Sequence, residues 1–346
     1  MKKIMNWIKI ITQISLIVFF LLIGIEASLY YFFNFKNIVK GDTKCKIYDD
    51  KKNYSYYKPN CKLYLKNWEQ NYGVEYNLND FGRRDNGNNN DYDKLIAFVG
   101  DSFTFGAMVP IEKNYNFKAI NLLNYKNYSG HNYGVSGEEF HNIFSKLKDL
   151  NFDEYEAIVY GLTPNDLFDI VDEEQINFKS SLEKNKYKNK SFKFLKTFLL
   201  STSTSKALLY YIMSQDKIYL DTYMAREPYS GYLKSPLPDD FNNALDLIFE
   251  RLDQLDNNLK SKLIIFLLPQ RAEVVAYKLE RYNDDFHNKF INNCKKKDIK
   301  CGLSNISELS ELEKSHFPVD GHLTIKGNDI VANNLVKLLK KHITKN

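Results

Sequence analysis

The chain is poor in the residues that build metal centres and nucleotide-binding loops. Only four cysteines and six histidines are spread over its 346 residues. The cysteines fall in two local pairs, Cys45 with Cys61 and Cys294 with Cys301, and no histidine stands beside either pair in ligand spacing. A zinc site is therefore not expected. No glycine-rich turn of the phosphate-cradling kind occurs, so neither a cofactor nor a metal is expected. An excess of one charge is missing too. Its 48 basic residues stand against 43 acidic ones, a net charge of +5 that argues against a dedicated nucleic-acid binder. No internal repeat is visible. What the chain does have is apolar and aromatic content, 44% and 15%, enough to bury a sizeable core and to exclude wholesale disorder.

The N-terminus stands apart. Ile10 to Ile25 carry no charge, and the apolar character runs on through Leu29-Tyr30-Tyr31-Phe32-Phe33, broken only by Glu26. About 20 such residues cross a bilayer. Lys2, Lys3 and Lys9 precede the run, which puts residues 1–9 in the cytoplasm and the chain beyond the anchor outside. The expectation is a single-pass anchor over 10–33 in the inner (cytoplasmic) membrane, with the rest on the periplasmic or extracellular side. The rival is a cleaved signal peptide, but Ala27-Ser28 after Ile25-Glu26 makes a poor cleavage site. Both readings export the remainder, where disulfides persist. The two local pairings close the shortest loops of the three connectivities possible, and free buried cysteines are the alternative.

Residues 34–93 are polar and end in an Asn/Gly/Asp run, Asp85 to Asp91, and read as a stalk plus a small extension. From 94 onward short apolar strands alternate with amphipathic helices. Strands are expected at Leu95–Val99, Asn132–Val135, Ala157–Leu162, Leu263–Leu268 and Lys300–Leu303. Helices are expected over about 113–124, 138–149, 241–259, 276–296 and 325–342. That alternation implies βαβ units, and hence an α/β domain over 94–346 with a parallel sheet of about five strands and helices on both faces. Residues 170–240 interrupt the pattern with a lysine-rich stretch (Lys184 to Lys196), a Ser/Thr run and a Tyr/Pro-rich loop. They read as an insertion, possible as a lid.

Sheets of this kind place their site at the carboxyl ends of the strands. The first strand ends in Gly100-Asp101-Ser102, which lifts one serine off the strand end. The second carries Gly134, and the third leads from Gly161 to Asn165-Asp166. Beyond the fifth comes Asp320-Gly321-His322. Each can supply one part of an acyl-transfer site. Ser102 can be the nucleophile, His322 its base, and Asp320 the group that orients the imidazole. The amides of Ser102 and Gly134 and the side chain of Asn165 can hold an oxyanion, at about 3 kcal/mol per donor. His316 is the reserve base, and Gln270-Arg271 can line the pocket. His131, His141, His287 and His342 read as surface or packing residues.

These blocks, in this order, resemble the SGNH (GDSL-type) hydrolase superfamily over about residues 94–342. Asn79-Asp80-Phe81-Gly82-Arg83 is similar to the lead-in of its membrane-anchored bacterial members. The resemblance implies a three-layer α/β/α, flavodoxin-like fold with Ser102, His322 and Asp320 as the triad and Ser102, Gly134 and Asn165 as the oxyanion hole. It implies an esterase that removes O-acyl groups, above all O-acetyl groups, from an envelope glycan. The alternatives are an O-acetyltransferase served by a membrane acyl-transfer partner, and a non-catalytic glycan-binding scaffold. Two blocks depart from the pattern. Leu162-Thr163-Pro164 separates Gly161 from Asn165, and Asp320 stands two residues before His322 where three is usual. The shorter spacing is similar to that of polysaccharide acetyltransferases.

Overall fold

The computed structural model describes residues 2–32, 45–65, 69, 73–85, 94–123, 127–167, 170, 202–224 and 231–343. Five strands form the central sheet: β5 (Lys94–Gly100), β6 (Tyr128–Asn132), β7 (Ala157–Leu162), β8 (Leu263–Leu267) and β9 (Lys300–Leu303). Their spatial order is β6-β5-β7-β8-β9 and every pairing is parallel. β5 thus lies between the strand that follows it and the one after that, and the switch point falls at its carboxyl end, where Ser102 begins.

Side chains alternate across the sheet with the strand period of two. Ile96, Phe98, Val159, Ile264 and Phe266 face α3 (Tyr115–Leu123) and α12 (Ile325–His342), which contribute Ala119, Val331, Leu335 and Leu339. Ala97, Val99, Ile158, Tyr160 and Ile265 face the other way. There they meet α4 (Phe140–Asp149), α7 (Asp239–Asp253) and α10 (Asp285–Lys296) through Ile143, Leu245, Ile248, Phe249 and Phe290. The result is three layers, α/β/α.

The expected second strand is displaced. Regular pairing covers 128–132, through polar Ser129, Gly130 and His131, rather than 132–135. Tyr133 and Val135 still donate to the Phe98 and Gly100 carbonyls (2.8 and 3.1 Å), but as the chain leaves the sheet. Two expected helices also divide. The 241–259 stretch becomes α7 and α8 (Asn257–Lys262), because the Asp256 carboxylate accepts the Asn258 N–H and starts a new helix. The 276–296 stretch becomes α9 (Arg271–Lys278) and α10, with Glu280 between them in the left-handed region (φ 57°).

α1 (Lys2–Phe32) contains a span, Lys9–Tyr31, long and apolar enough to cross a membrane. Its one acidic residue has a partner. The Glu26 carboxylate accepts the Ser203 N–H, together with the N–H (2.8 Å) and hydroxyl (2.6 Å) of Thr204, at the start of α5 (Ser203–Ser214). α6 (Asp216–Met224) follows. The Lys184 to Lys196 cluster lies outside the described residues, as does most of the expected stalk before Cys45.

Residues 45–85 are more than a stalk. They form two antiparallel hairpins, β1 (Lys46–Asp49) with β2 (Tyr54–Tyr57) and β3 (Lys62–Leu65) with β4 (Val74–Asn77), joined by the Cys45–Cys61 disulfide. The second disulfide, Cys294–Cys301, ties α10 to β9. Tyr57, Leu63, Val74 and Tyr76 pack on Phe105 and Val135 of the sheet domain. The ring of Tyr76 stacks 5.2 Å from that of Phe105. Beside it the buried Arg84 donates to the carbonyls of Phe105 (2.9 Å), Gly106 (2.5 Å) and Val109 (2.5 Å), with Tyr76 under its guanidinium at 4.2 Å. Burial pushes Arg84 down to about 10. Arg84→Ala leaves three carbonyls short of a donor and is expected to lower unfolding stability by roughly 3 kcal/mol. Urea denaturation of the full chain checks this; a loss under about 1 kcal/mol would show that Arg84 does not brace the segment.

Candidate active site

Ser102 opens α2 (Ser102–Phe105), a single turn after β5. The Asp101 carboxylate caps it by accepting the Phe103 N–H (2.8 Å). Its backbone closes the first carbonyls, Ser102 accepting from the Gly106 and Ala107 N–H groups (3.1 and 3.0 Å) and Phe103 from Gly106 (3.1 Å), and side chains supply donors to the carbonyls that follow. Asn114, Asn116 and Asn132 all donate to the Thr104 carbonyl, at 3.1, 2.9 and 3.0 Å, and Arg84 covers the next carbonyls. The turn that carries the serine is thus gripped from four directions.

His322 comes from the loop before α12, 220 residues away. Its Nε2 lies 2.7 Å from Ser102 Oγ and its Nδ1 2.5 Å from Asp320 Oδ1. With the Nδ1 proton given to the carboxylate, Nε2 is the lone-pair nitrogen and accepts from the serine hydroxyl. The spacing of two residues is made workable by Gly321, which takes φ +82°. This left-handed turn folds Asp320 back so that the same Oδ1 also accepts the His322 N–H at 3.3 Å. Phe317 fixes the loop through its N–H to the His322 carbonyl and its carbonyl to the Gly321 N–H, both 2.9 Å. The ring of Phe103 covers the imidazole at 5.0 Å.

Both side chains of the pair are about 20% exposed. Burial alone would push His322 down. The Asp320 charge and hydrogen bond, with Asp101 and Glu69 behind them, outweigh it and hold the imidazole above its usual value. Burial works on Asp320 in the opposite sense, but His322 holds its carboxyl below the ordinary aspartate value.

Asn165 sits beside the serine turn. Its Nδ2 donates to Asp101 Oδ2 (3.0 Å) and its Oδ1 accepts from Gln270 Nε2 (2.6 Å), which leaves the second Nδ2 hydrogen to point elsewhere. Gly134 follows β6 beside the serine turn. Its N–H is donated to Asn132 Oδ1 at 2.9 Å. The residue is glycine for packing, since a Cβ there would come within 2.6 Å of the Thr104 carbonyl carbon. His316 is not the base. It is buried between Ser315 Oγ (3.0 Å) and the Pro269 carbonyl (3.2 Å), and burial pushes it down to about 4. Gln270 donates to Asn165, and Arg271 reaches the Pro318 carbonyl at 2.6 Å while binding the Met213 carbonyl, so α9 links the loop before His322 to α5. His131 is a packing residue, held at 3.0 Å from Arg83 Nη1 and 2.9 Å from Tyr155 Oη.

Two residues of the arrangement were missed in the sequence. Glu69 accepts from the amides of Val319 and Asp320, and Arg84 grips the serine turn. Both come from the polar extension, where no spacing rule marks them. A cleft of about 450 Å³ lies against β2 and β6, lined by Tyr54, Tyr57, Arg83, Tyr133 and Tyr155; neither Ser102 nor His322 lines it. Among the described residues no group of acidic, histidine or cysteine side chains could hold a metal ion.

No family model matches this sequence, and no curated protein matches it either. Solved structures do overlap it. An acetyl xylan esterase is 14% identical with a TM-score of 0.38, covering 70% of this chain and 98% of its own. A member of the lipolytic protein G-D-S-L family from Veillonella parvula is 12% identical, with a TM-score of 0.37 and coverage of 70% and 96%. A lipase from a goat rumen metagenome is 15% identical, with a TM-score of 0.35 and coverage of 71% and 97%.

Asp166 offers a test of the buried charge. It is fully buried, its Oδ2 accepts from Tyr160 Oη (2.9 Å) and the Thr163 N–H (3.0 Å), and burial together with the Asp101 charge holds it well above the usual carboxylate range. A carboxyl that stays protonated can be replaced by an amide with both acceptor contacts kept. Asp166→Asn is expected to change unfolding stability by less than about 1 kcal/mol, and Asp166→Ala to lower it by roughly 2–3 kcal/mol. Thermal and urea unfolding of the two variants checks this; equal losses would mean that the aspartate is ionised.

Proposed function

We propose that this chain is a serine esterase. The single observation that carries the reading is the continuous hydrogen-bonded line Ser102–His322–Asp320 at the switch point of the sheet. Ser102 Oγ attacks an ester carbonyl while its proton passes to His322 Nε2, and the imidazolium formed is stabilised by Asp320. The Ser102 amide and the Asn165 side chain hold the oxyanion. Collapse of the tetrahedral intermediate expels the alcohol, which takes the proton from Nε2, and leaves an acyl-enzyme. Water, deprotonated by His322, then releases the acid. The substrate class in this reading is an O-acylated, chiefly O-acetylated, envelope glycan. Its support is the resemblance of the sequence blocks, together with an apolar helix and two disulfides that suit a domain tethered outside the cytoplasm.

A fluorophosphonate probe tests the core of this. Wild-type protein is expected to label on serine and to cleave p-nitrophenyl acetate, and Ser102→Ala to do neither. Folded wild type that takes no label is no serine esterase. Weak hydrolysis combined with acyl transfer to an added glycan would move the reading to an O-acetyltransferase. The pH dependence carries a sign. His322 must be neutral to act as base, and its surroundings hold it above 6.5. The acid limb of kcat/KM is therefore expected above pH 6.5, with activity falling as the pH drops through it; a limb at 6.5 or below contradicts this assignment.

A further inference from the structure

Glu69 stands between β3 and β4, far in sequence from the triad, yet its two carboxylate oxygens hold two successive amides of the triad loop. Oε1 accepts the Val319 N–H at 2.9 Å and Oε2 the Asp320 N–H at 2.8 Å. An ionised carboxylate can accept both, whereas a carboxamide offers one acceptor and would turn its NH2 group toward the other amide. The same extension grips the other half of the triad. Arg84 binds the carbonyls of Phe105, Gly106 and Val109, and Tyr76 Oη accepts the Met108 N–H at 2.7 Å. The extension thus touches the backbone just past Ser102 and the backbone just before His322.

We propose that the extension is part of the catalytic unit, with Glu69 as the positioning residue that fixes the Val319–Asp320 backbone and so keeps Asp320 and His322 aligned on Ser102. The inference rests on the serine-esterase reading. Glu69 touches no reacting atom; it acts through the turn. Among the described residues the charged groups that act on it include Asp320 on the turn and Arg271 on α9, with His322 and Asp101 beyond. Burial pushes Glu69 up to about 7, opposed by the two amides, so its grip strengthens as pH rises through neutrality. Its negative charge also helps to hold His322 up. Removing that charge therefore moves the acid limb to lower pH, an effect that loss of a purely structural contact would not produce.

The experiment compares the full chain in detergent with Glu69→Gln and Glu69→Ala, using p-nitrophenyl acetate kinetics, fluorophosphonate labelling and hydrogen exchange of the peptide spanning 315–323. Both variants are expected to label at Ser102. Each should lose about 10- to 100-fold in kcat, with KM within about two-fold and the acid limb shifted to lower pH. Glu69→Ala should also raise exchange at the 319 and 320 amides. A kcat within about two-fold of wild type, an unmoved limb or unchanged exchange overturns the proposal. Should wild type itself cleave no ester while Glu69→Ala still raises that exchange, the esterase reading falls and the hold of Glu69 on the turn stands.

Discussion

The site depends on one short-range constraint, the contact between the Asp320 carboxylate and the His322 imidazole two residues later. Neighbours at this spacing reach one another only if the backbone between them reverses, and an L side chain at position 321 would resist the left-handed turn that does it. Gly321 removes that resistance. The tight turn then sets the imidazole by two bonds from one carboxylate oxygen, to Nδ1 and to the His322 amide. Because the ring is fixed from within the turn, placing Nε2 against Ser102 becomes a matter of placing the turn. The rest of the architecture acts on that problem, through the Phe317 backbone pair, Arg271 on the Pro318 carbonyl and Glu69 on the two amides.

The electrostatics follow from the same placement. Asp320, Asp101 and Glu69 all lie near a single imidazole, and the negative charge of each, when ionised, favours its protonated form. Ground-state His322 is thereby made a stronger base than an ordinary histidine. The field is laid down by folding and is in place before a substrate arrives, so little reorganisation is left for the moment at which charge develops. Asp166 shows the limit of this crowding. Burial and the neighbouring Asp101 charge push its carboxyl well above the usual range, which disfavours a further charge in the cluster.

How much of this was legible in the sequence depended on what kind of force places each piece. Strands 157–162 and 300–303 and helix 325–342 were readable to the residue, the first as an unbroken apolar run and the last as an apolar face opened by the Thr324 cap. The second strand was not. Its Tyr-Ser-Gly-His-Asn sequence is polar for a buried ladder and pairs on one side only, at the sheet edge. Ser102, His322 and Asp320 stood out as short blocks at strand ends. Gly134 is a case where the sequence does not discriminate, because a glycine beside a site can be an amide donor, a packing gap or both; its N–H meets Asn132 Oδ1. Glu69 and Arg84 carried no signal at all, since their partners are backbone atoms distant in sequence.

That last failure has a physical cause worth following. A segment that stabilises by burying side chains leaves a periodic pattern; one that works by hydrogen-bonding another segment's backbone does not. The extension does both, but its core is small, a few residues around Tyr57, Leu63, Val74 and Tyr76 on Phe105. Its effect on the site comes through polar groups, Arg84 on three carbonyls and Glu69 on two amides. Such contacts count for little in water and for more where the groups are buried, because an unmet backbone group there would cost about 1–3 kcal/mol. The polar composition that made 34–93 read as a stalk plus a small extension is also what suits the described part, 45–85, to its contacts. A sheet domain supplies Ser102 and His322 on loops that its own side chains hold in part, and the polar extension adds a donor to the first and two acceptor contacts to the second.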